Sequence, residues 1–152
     1  MTSTTPSARR RARELVLQGL YQRQLSANAD AMIEQQLLEH AEGDADREYM
    51  VSLWRGVTGD YDALGALVAP HSSRAANALS PIERSILAIG AWELANRLEI
   101  PYKVVINEAI DLAKVYGGTD GHRFANGVLD KLAARVRDAE IAALAREAGS
   151  NR

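Results

Sequence analysis

The sequence predicts an all-α protein of about seven helices, which form two small three-helix-type bundles that share a core. Alanine and leucine are abundant and runs of β-branched residues are few, a composition that favours helices over strands. Apolar residues recur at steps of three and four along most of the chain, so each segment presents one apolar helix face. The four prolines all fall at segment edges, and short loops join the segments, as in helix bundles.

Composition limits the classes of protein that the chain can belong to. Of its 152 residues, 47% are apolar, which excludes wholesale disorder and is enough for one domain. The absence of cysteine excludes disulfides, zinc–thiolate sites and thiol nucleophiles. No apolar run approaches the ~20 residues of a membrane span, and no apolar segment follows the N-terminal arginines as in a secretory signal. We therefore expect a cytoplasmic protein that does not enter a membrane.

The pattern places one helical domain between two less regular ends. Residues 1–7 contain nothing to bury, and we expect them to be disordered. The domain covers residues 8–137, with an N-terminal bundle over about 8–70 and a C-terminal bundle over about 71–137. Residues 138–152 have apolar side chains at helical spacing and form either a helical extension or a frayed tail.

Three helices are predicted in the N-terminal half. In the first, Gly19 lies among apolar residues and marks a close contact with another helix. The third is one long helix, which follows the cap candidates Asp44 and Asp46 and stops before Pro70. The predicted helices cover residues 8–25, 32–40 and 50–68.

The C-terminal half opens with the strongest helix-start signal in the chain, at residues 80–83. A short helical turn over residues 72–78 leads to it. Ser80 as N-cap, a proline at the first helical position and Glu83 at the third form a capping box. The fifth helix therefore begins at Ser80 and continues to just before the Ile100–Pro101 pair.

A helical hairpin over residues 101–132 is the scaffold around which the rest of the chain packs. Its first helix is apolar over most of its circumference and ends at Gly117 and Gly118, because glycine adopts the left-handed conformation without strain. In its second helix Phe124, the single phenylalanine of the chain, lies at the edge of the apolar face. We expect the polar turn between the two helices to be part of a binding site.

Charge is distributed unevenly along the chain. Residues 1–25 contain five arginines and one acid, whereas residues 28–62 contain nine acids and two arginines. The N-terminal arginines lie in the first turns of the first helix, and we expect them to project beyond the body of the protein. Cations are unfavourable at that positive end of the helix dipole, so their placement indicates that an anion binds there.

No catalytic or metal-binding constellation stands out in the sequence. The histidines His40, His71 and His122 are scattered and lack an HExxH context, and the serines and glycines form no nucleophile elbow or phosphate-binding loop. Asn107 and Glu108 lie on a helix that looks buried, where such residues more often bridge neighbouring backbone than catalyse. We expect no cofactor, no metal and no enzymatic activity.

Two features have both a structural and a functional interpretation. The ARRRAR run at residues 8–13 is either a solvated helix start or a phosphate-contacting surface, since guanidinium groups pair with phosphate oxygens. Phe124 is either a core residue or, beside His122 and Arg123, a ring on which unpaired bases stack. Tyr21 and Glu83 have plainer structural roles, at a core edge and in a helix cap.

Three stretches together resemble the NusB family of transcription antitermination factors. They are ARRRARELVLQGLYQ at residues 8–22, PYKVVINEAIDLAKVYGG at residues 101–118 and GHRFANGVLDKL at residues 121–132. Their order and spacing match the family from about Ser7 to Leu132. The acidic middle over residues 28–78 matches only in helical pattern, and the tail after Arg137 is longer than usual.

The resemblance implies an all-helical, non-enzymatic adaptor that binds RNA. With NusE, a small-subunit ribosomal protein that doubles as a transcription factor, it would bind single-stranded boxA RNA of ribosomal RNA operons. The assembly would join the elongating RNA polymerase and suppress premature termination. The resemblance leaves open whether the chain forms a homodimer.

The family's functional residues map onto matching positions of this chain. The resemblance places Arg9, Arg10 and Arg13 along the RNA backbone, Asp120, His122, Arg123 and Phe124 against bases or sugars, and Tyr21 and Glu83 on the side that faces NusE. The chain departs from several members at Ala88, where they have arginine, and at His71, where they have an aromatic residue. These departures affect the outer edge of the RNA-binding surface.

Two other functions are compatible with parts of the pattern. One is an RNA-binding module related to the N-terminal domain of RNA cytosine methyltransferases, although 152 residues leave no room for a cofactor-binding α/β domain. The other is a purely protein-binding or self-associating helical module, in which the arginines bind no RNA. RNA retention by the wild type and by an Arg9/Arg10/Arg13 triple alanine variant distinguishes this last case.

Overall fold

A computed structural model describes residues 5–41, 43, 45–118 and 120–150, and its regular elements are all helical. Two short 3-10 turns, Ala69–His71 and Ala76–Ala78, lie between the fourth and fifth helices. The all-α prediction is therefore confirmed. The helices are α1 (Pro6–Leu25), α2 (Asp30–His40), α3 (Arg47–Gly59), α4 (Tyr61–Val68), α5 (Pro81–Asn96), α6 (Tyr102–Tyr116), α7 (Gly121–Val136) and α8 (Asp138–Ser150).

Helix α1 begins at Pro6, two residues before the predicted start. Thr5 is its N-cap, since the Thr5 hydroxyl accepts a hydrogen bond from the Ala8 N–H at 3.1 Å. Pro6 fits the first turn, where a missing N–H is no loss. The predicted disorder is therefore wrong for residues 5–7, and residues 1–4 lie outside the described residues.

The predicted long third helix is two helices, α3 and α4, which meet at Asp60. Asp60 leaves the helical conformation, with φ −114° and ψ 20°. Glycine and aspartate are poor helix formers, so the Gly59–Asp60 pair is a weak point for continuous helix. The break lets α4 pack against α5. Asp46 caps α3 by accepting a hydrogen bond from Tyr49 N–H at 2.9 Å, whereas Asp44 lies outside the described residues.

Helix α5 is the centre of the fold, because it packs against α1, α3, α4, α6 and α7. Every residue from Ser85 to Leu94 is buried. Close packing explains two of the glycines: a Cβ on Gly56 would lie 2.2 Å from the Trp92 ring, and one on Gly19 would lie 2.8 Å from Trp54. The predicted contact at Gly19 is therefore present, and α5 holds the helices that surround it in fixed relative positions.

The local start and stop signals act as predicted around α5 and α6. Ser80 Oγ accepts a hydrogen bond from Glu83 N–H, and the Glu83 carboxylate accepts one from Ser80 N–H, both at 3.1 Å, which completes the capping box. After α6 the chain turns through Gly118 at φ 73° and Asp120 at φ 62°. The turn brings α7 back along α6 and places Phe124 in the first turn of α7.

The C-terminal tail is a helix, α8, which Arg137 anchors to the body of the protein. The buried Arg137 guanidinium donates hydrogen bonds to the carbonyl oxygens of Leu94, Arg97 and Ile100 at 2.7 to 3.0 Å. It also pairs with Glu140, whose other carboxylate oxygen accepts the Tyr102 N–H at 2.9 Å. Within the described ranges no helix combines the length and apolarity that crossing a membrane requires.

Candidate nucleic-acid interface

The arginines of α1 do not share one environment, and Arg13 is buried with only 3% of its surface exposed. Its guanidinium donates to both carboxylate oxygens of Glu93 at 2.9 to 3.1 Å. The Tyr49 hydroxyl donates to the same carboxylate. Burial, reinforced by Glu93, raises the pKa of Tyr49, which therefore remains a protonated donor at neutral pH. The expectation that the arginines project from the body is wrong for Arg13.

Arg10 lies at the surface, and its side chain is 52% exposed. Its Nε and Nη2 atoms donate to the Glu108 carboxylate at 3.0 Å, and Nη2 also donates to Asp111 at 3.1 Å. The Nη1 atom makes no hydrogen bond to any residue that the structure describes, so two N–H donors remain for an external acceptor. Arg10 is therefore both held in place by α6 and able to bind an anion.

Arg9 occupies an intermediate position over the ring of Tyr49. Its Cζ lies 4.5 Å from the ring centroid, and its Nε lies 4.0 Å from the Asp46 carboxylate. The side chain is 30% exposed. Stacking on Tyr49 thus orients the Arg9 guanidinium at the edge of the surface that carries Arg10.

Carboxylates of other helices explain why cations are tolerated in the first turns of α1. Glu93 of α5 neutralises Arg13, and Glu108 of α6 neutralises Arg10. The unfavourable placement at the helix N-terminus therefore does not by itself indicate an external anion. What remains for such an anion is the exposed part of Arg10 and Arg9.

Phe124 is neither fully buried nor bare. Its half-buried ring lines a small cleft with apolar residues of α5 and α6, including Ile86, Leu87 and Ala113. The Arg74 guanidinium covers the ring, with Cζ 3.7 Å from the centroid, and pairs with Glu83 at 2.9 Å. The ring thus packs partly against the core and is covered by a cation, while base stacking at Phe124 stays a prediction.

The other residues predicted around Phe124 are more exposed. The side chains of Asp120 and Arg123 are 70% and 79% exposed and lie 3.9 Å apart, whereas His122 is half-buried. Asp120 adopts the left-handed conformation, and His122 and Arg123 follow it in the first turn of α7. The start of α7 therefore presents a cation and an imidazole beside a partly covered aromatic ring.

Helix α6 adjoins both Arg10 and Phe124, and we call the side chains around these two residues the α6 border. Arg10 contacts Glu108 and Asp111, while Phe124 lines a cleft with Gly117 at the end of the helix. Gly117 lies six positions after Asp111, about 9 Å further along the helix axis and on a different face. Between them the Tyr116 hydroxyl donates to Glu14 of α1 at 2.9 Å, which ties α1 to the same border.

Of the two residues predicted to face a protein partner, Glu83 adjoins Phe124 and Tyr21 lies further along α1. Tyr21 is 41% exposed on α1. One turn further on, Gln24 donates to the Pro81 carbonyl at 3.0 Å and to Ser85 Oγ at 2.8 Å, so this end of α1 lies against the start of α5. Glu83, in the first turn of α5, lines the same cleft as Phe124. Its side chain is only 13% exposed.

The two departures from the family pattern lie on the α4 side of α5. Ala88 is buried and lines a cavity of about 250 Å³ between α4 and α5, with Arg74 and Arg84 also in its walls. His71 is half-buried in the short turn after α4. The cavity at Ala88 thus occupies the space into which the longer arginine side chain of several family members would extend.

Sequence reasoning missed Arg74, which covers Phe124, and Glu93, which pairs with Arg13. Arg74 lies fifty positions from Phe124 in a loop without a periodic pattern, so no local signal identifies it. A signal for Arg13 does exist, since residues 13, 17 and 20 lie on one helix face and Leu17 and Leu20 are buried. That spacing predicts a buried arginine, which requires a buried acid.

Comparisons with known proteins find matches over most of the chain. The model of the NusB family matches residues 10–134. Transcription antitermination protein NusB of Aromatoleum aromaticum is 53% identical over 141 residues, covering 92% of this chain and 97% of the relative. That of an Azoarcus species is 56% identical over 142 residues, covering 90% and 89%.

Two solved structures share the fold. T. maritima NusB aligns with a TM-score of 0.75 at 31% identity, covering 88% of this chain and 94% of that one. A crystal structure of the antitermination factors NusB and NusE in complex with double-stranded RNA aligns with a TM-score of 0.73 at 24% identity, covering 84% and 97%.

Proposed function

The chain belongs to the NusB family, and we propose that it is an RNA-binding transcription antitermination adaptor. It binds boxA RNA of ribosomal RNA operons together with NusE and joins the elongating RNA polymerase. It acts in the cytoplasm and catalyses no reaction itself. What supports the proposal is that α6 adjoins both an anchored cation with unused donors, Arg10, and a half-buried ring, Phe124, the two kinds of group that phosphates and unpaired bases contact.

Each side chain at the α6 border has a role that its environment supports. Arg10 binds a phosphate oxygen through Nη1 while Glu108 and Asp111 hold the rest of the guanidinium. Arg9 adds a second cation beside it. Arg13 supports the surface from behind by pairing with Glu93, and its burial removes it from direct phosphate contact.

The turn between α6 and α7 meets the bases. Unpaired bases stack on aromatic rings and guanidinium planes, and single-stranded RNA offers such bases. Phe124 lies just after that turn, in the first turn of α7 beside His122 and the exposed Arg123, while Asp120 can accept a hydrogen bond from a sugar hydroxyl or a base. Phosphate contacts beside the middle of α6 and base contacts beyond its C-terminal end fix the direction of the strand.

NusE binds next to the RNA, on the side of Tyr21 and Glu83. A structural relative has been solved with NusE and double-stranded RNA. In this chain the exposed Tyr21 ring supplies an apolar surface with a polar tip, which suits a protein interface. Because Glu83 and Phe124 share one cleft, a partner bound at Glu83 adjoins the RNA and strengthens its binding.

RNA affinity should fall with salt in proportion to the phosphates that the arginines contact. Contacts by Arg9, Arg10 and Arg123 give a slope of log affinity against log salt near ~−2, and Arg10→Gln should flatten it by ~0.7. Glutamine keeps a donor for Glu108, so the fold is preserved. Fluorescence anisotropy with labelled boxA RNA over a salt series measures the slope, with exposed Arg146→Gln on α8 as control. An unchanged slope for Arg10→Gln contradicts its phosphate contact.

Replacing Phe124 should separate its packing role from its RNA role. Phe124→Ala is expected to lower RNA affinity by on the order of 1–3 kcal/mol through lost stacking. Phe124→Leu keeps the apolar side chain against the cleft but has no ring face, so it should lose similar RNA affinity and keep most of the stability. RNA binding and thermal unfolding are measured on both variants. Full RNA affinity in Phe124→Leu would show that the ring has only a packing role.

A further inference from the structure

We infer that Arg74 is a nucleotide-contacting residue, whose guanidinium lies on the Phe124 ring and forms the surface on which an unpaired base stacks. The inference rests on the proposed RNA-binding function. Arg74 lies outside the three stretches that resemble the family, since the first ends at residue 22 and the second begins at residue 101.

The first step is the stack itself. The Arg74 Cζ lies 3.7 Å from the centroid of Phe124, within the range of direct contact between stacked carbon atoms. The ring also lines the cleft that contains Ile86, Leu87 and Ala125. The Arg74 side chain is 38% exposed. Part of the solvent-exposed surface above the ring therefore belongs to the Arg74 guanidinium.

The second step is that Arg74 is held from both ends. Its Nη2 atom pairs with Glu83 at 2.9 Å, and the capping box with Ser80 fixes the Glu83 carboxylate. At the backbone, Ser72 Oγ donates to the Arg74 carbonyl at 2.8 Å and accepts from the Arg74 N–H at 3.1 Å. These bonds pre-organise the guanidinium over the ring, so little side-chain entropy is lost when a ligand binds.

The third step is the chemistry of the ligand. A guanidinium is planar, remains charged, and stacks on nucleobases while its edge donates to phosphate or base oxygens. For a base to reach the covered face of Phe124, Arg74 would have to leave both the ring and Glu83. Stacking on Arg74 keeps both contacts and places a positive charge beside the strand. We therefore assign Phe124 the role of supporting the guanidinium that meets the base.

The experiment compares Arg74→Lys with wild type in the full chain, using a labelled single-stranded boxA RNA without NusE. Lysine keeps the charge but lacks the planar group, so the dissociation constant should rise about five- to tenfold with an unchanged salt slope. Arg74→Gln also loses the charge beside the strand and should weaken binding more than Arg74→Lys does. Arg135→Lys, an exposed arginine in the last turn of α7, is the matched control and should bind as wild type does.

A series of RNAs with one abasic nucleotide each provides a readout that a purely structural role would not change. At one position the abasic substitution and Arg74→Lys should cause the same loss of affinity separately and together, because both remove one stack. The inference is wrong if Arg74→Lys binds RNA as tightly as wild type or more tightly, or if its loss of affinity adds to that of the abasic substitution at every position. Arg74 would then be a cover that has to leave the ring before a base can stack there. If wild type binds no RNA even after NusE is added, the proposed function fails instead.

Discussion

Replacing Arg13 with alanine is expected to lower the free energy of unfolding by about 3–5 kcal/mol, the range found when one partner of a buried ion pair is removed. The substitution leaves the Glu93 carboxylate buried, with the Tyr49 hydroxyl as its nearest donor. Urea unfolding followed by circular dichroism measures the loss. Arg11→Ala, two residues earlier at a half-exposed position, is the matched control and should change stability by less than about 0.5 kcal/mol.

The Arg13→Ala variant also tests where the RNA lies. Because Arg13 is behind the surface, the folded variant should keep most of the wild-type RNA affinity. The affinity is measured below the unfolding transition and corrected for the fraction of protein that is folded. A stable Arg13→Ala variant that has lost RNA binding would show that Arg13 contacts phosphate directly. It would also show that the pairing with Glu93 opens in the complex.

Arg137→Ala is expected to be the next most damaging substitution, lowering the free energy of unfolding by about 2–4 kcal/mol. Its guanidinium donates hydrogen bonds to carbonyl oxygens at the end of α5 and in the loop to α6. Without Arg137 these buried oxygens would have no hydrogen-bond donor. It also holds Glu140, which caps the start of α6. The family match ends at residue 134, so this anchor lies just beyond it.

The test of Arg137 is a comparison with its exposed neighbour. Arg135→Ala removes the same side chain two residues earlier, where it is exposed, and should leave the unfolding midpoint almost unchanged. Hydrogen exchange should show faster exchange in α8 and the first turn of α6 for Arg137→Ala only. Equal unfolding midpoints for the two variants would contradict an anchoring role for Arg137.

Local signals in the sequence predicted much of the fold. The capping box at Ser80 and the glycines after α6 act within four residues of themselves, so no knowledge of the tertiary structure was needed. The break at Asp60 was missed because apolar spacing continues across it from Val57 to Leu64, and periodicity alone cannot detect a change of helix axis.

The site was harder to predict, because its chemistry depends on partners that are distant in sequence. Arg10 and Arg13 belong to one arginine run, yet Glu108 leaves part of Arg10 available while Glu93 sequesters Arg13. Residue type identified them as anion-binding groups, and only the packing of α1 against α5 and α6 determined which anion each one meets. Arg74 shows the same limit, since its contact with Phe124 joins a loop to a distant helix.

The most direct test of the proposed RNA surface is to follow backbone amide signals by NMR while boxA RNA is titrated into the isotopically labelled protein. If the strand lies along the α6 border, signals should shift in the first turns of α1 and over residues 117–124, while those of α2 remain in place. Shifts confined to α2 and α4, with none near Arg10 or Phe124, would contradict it.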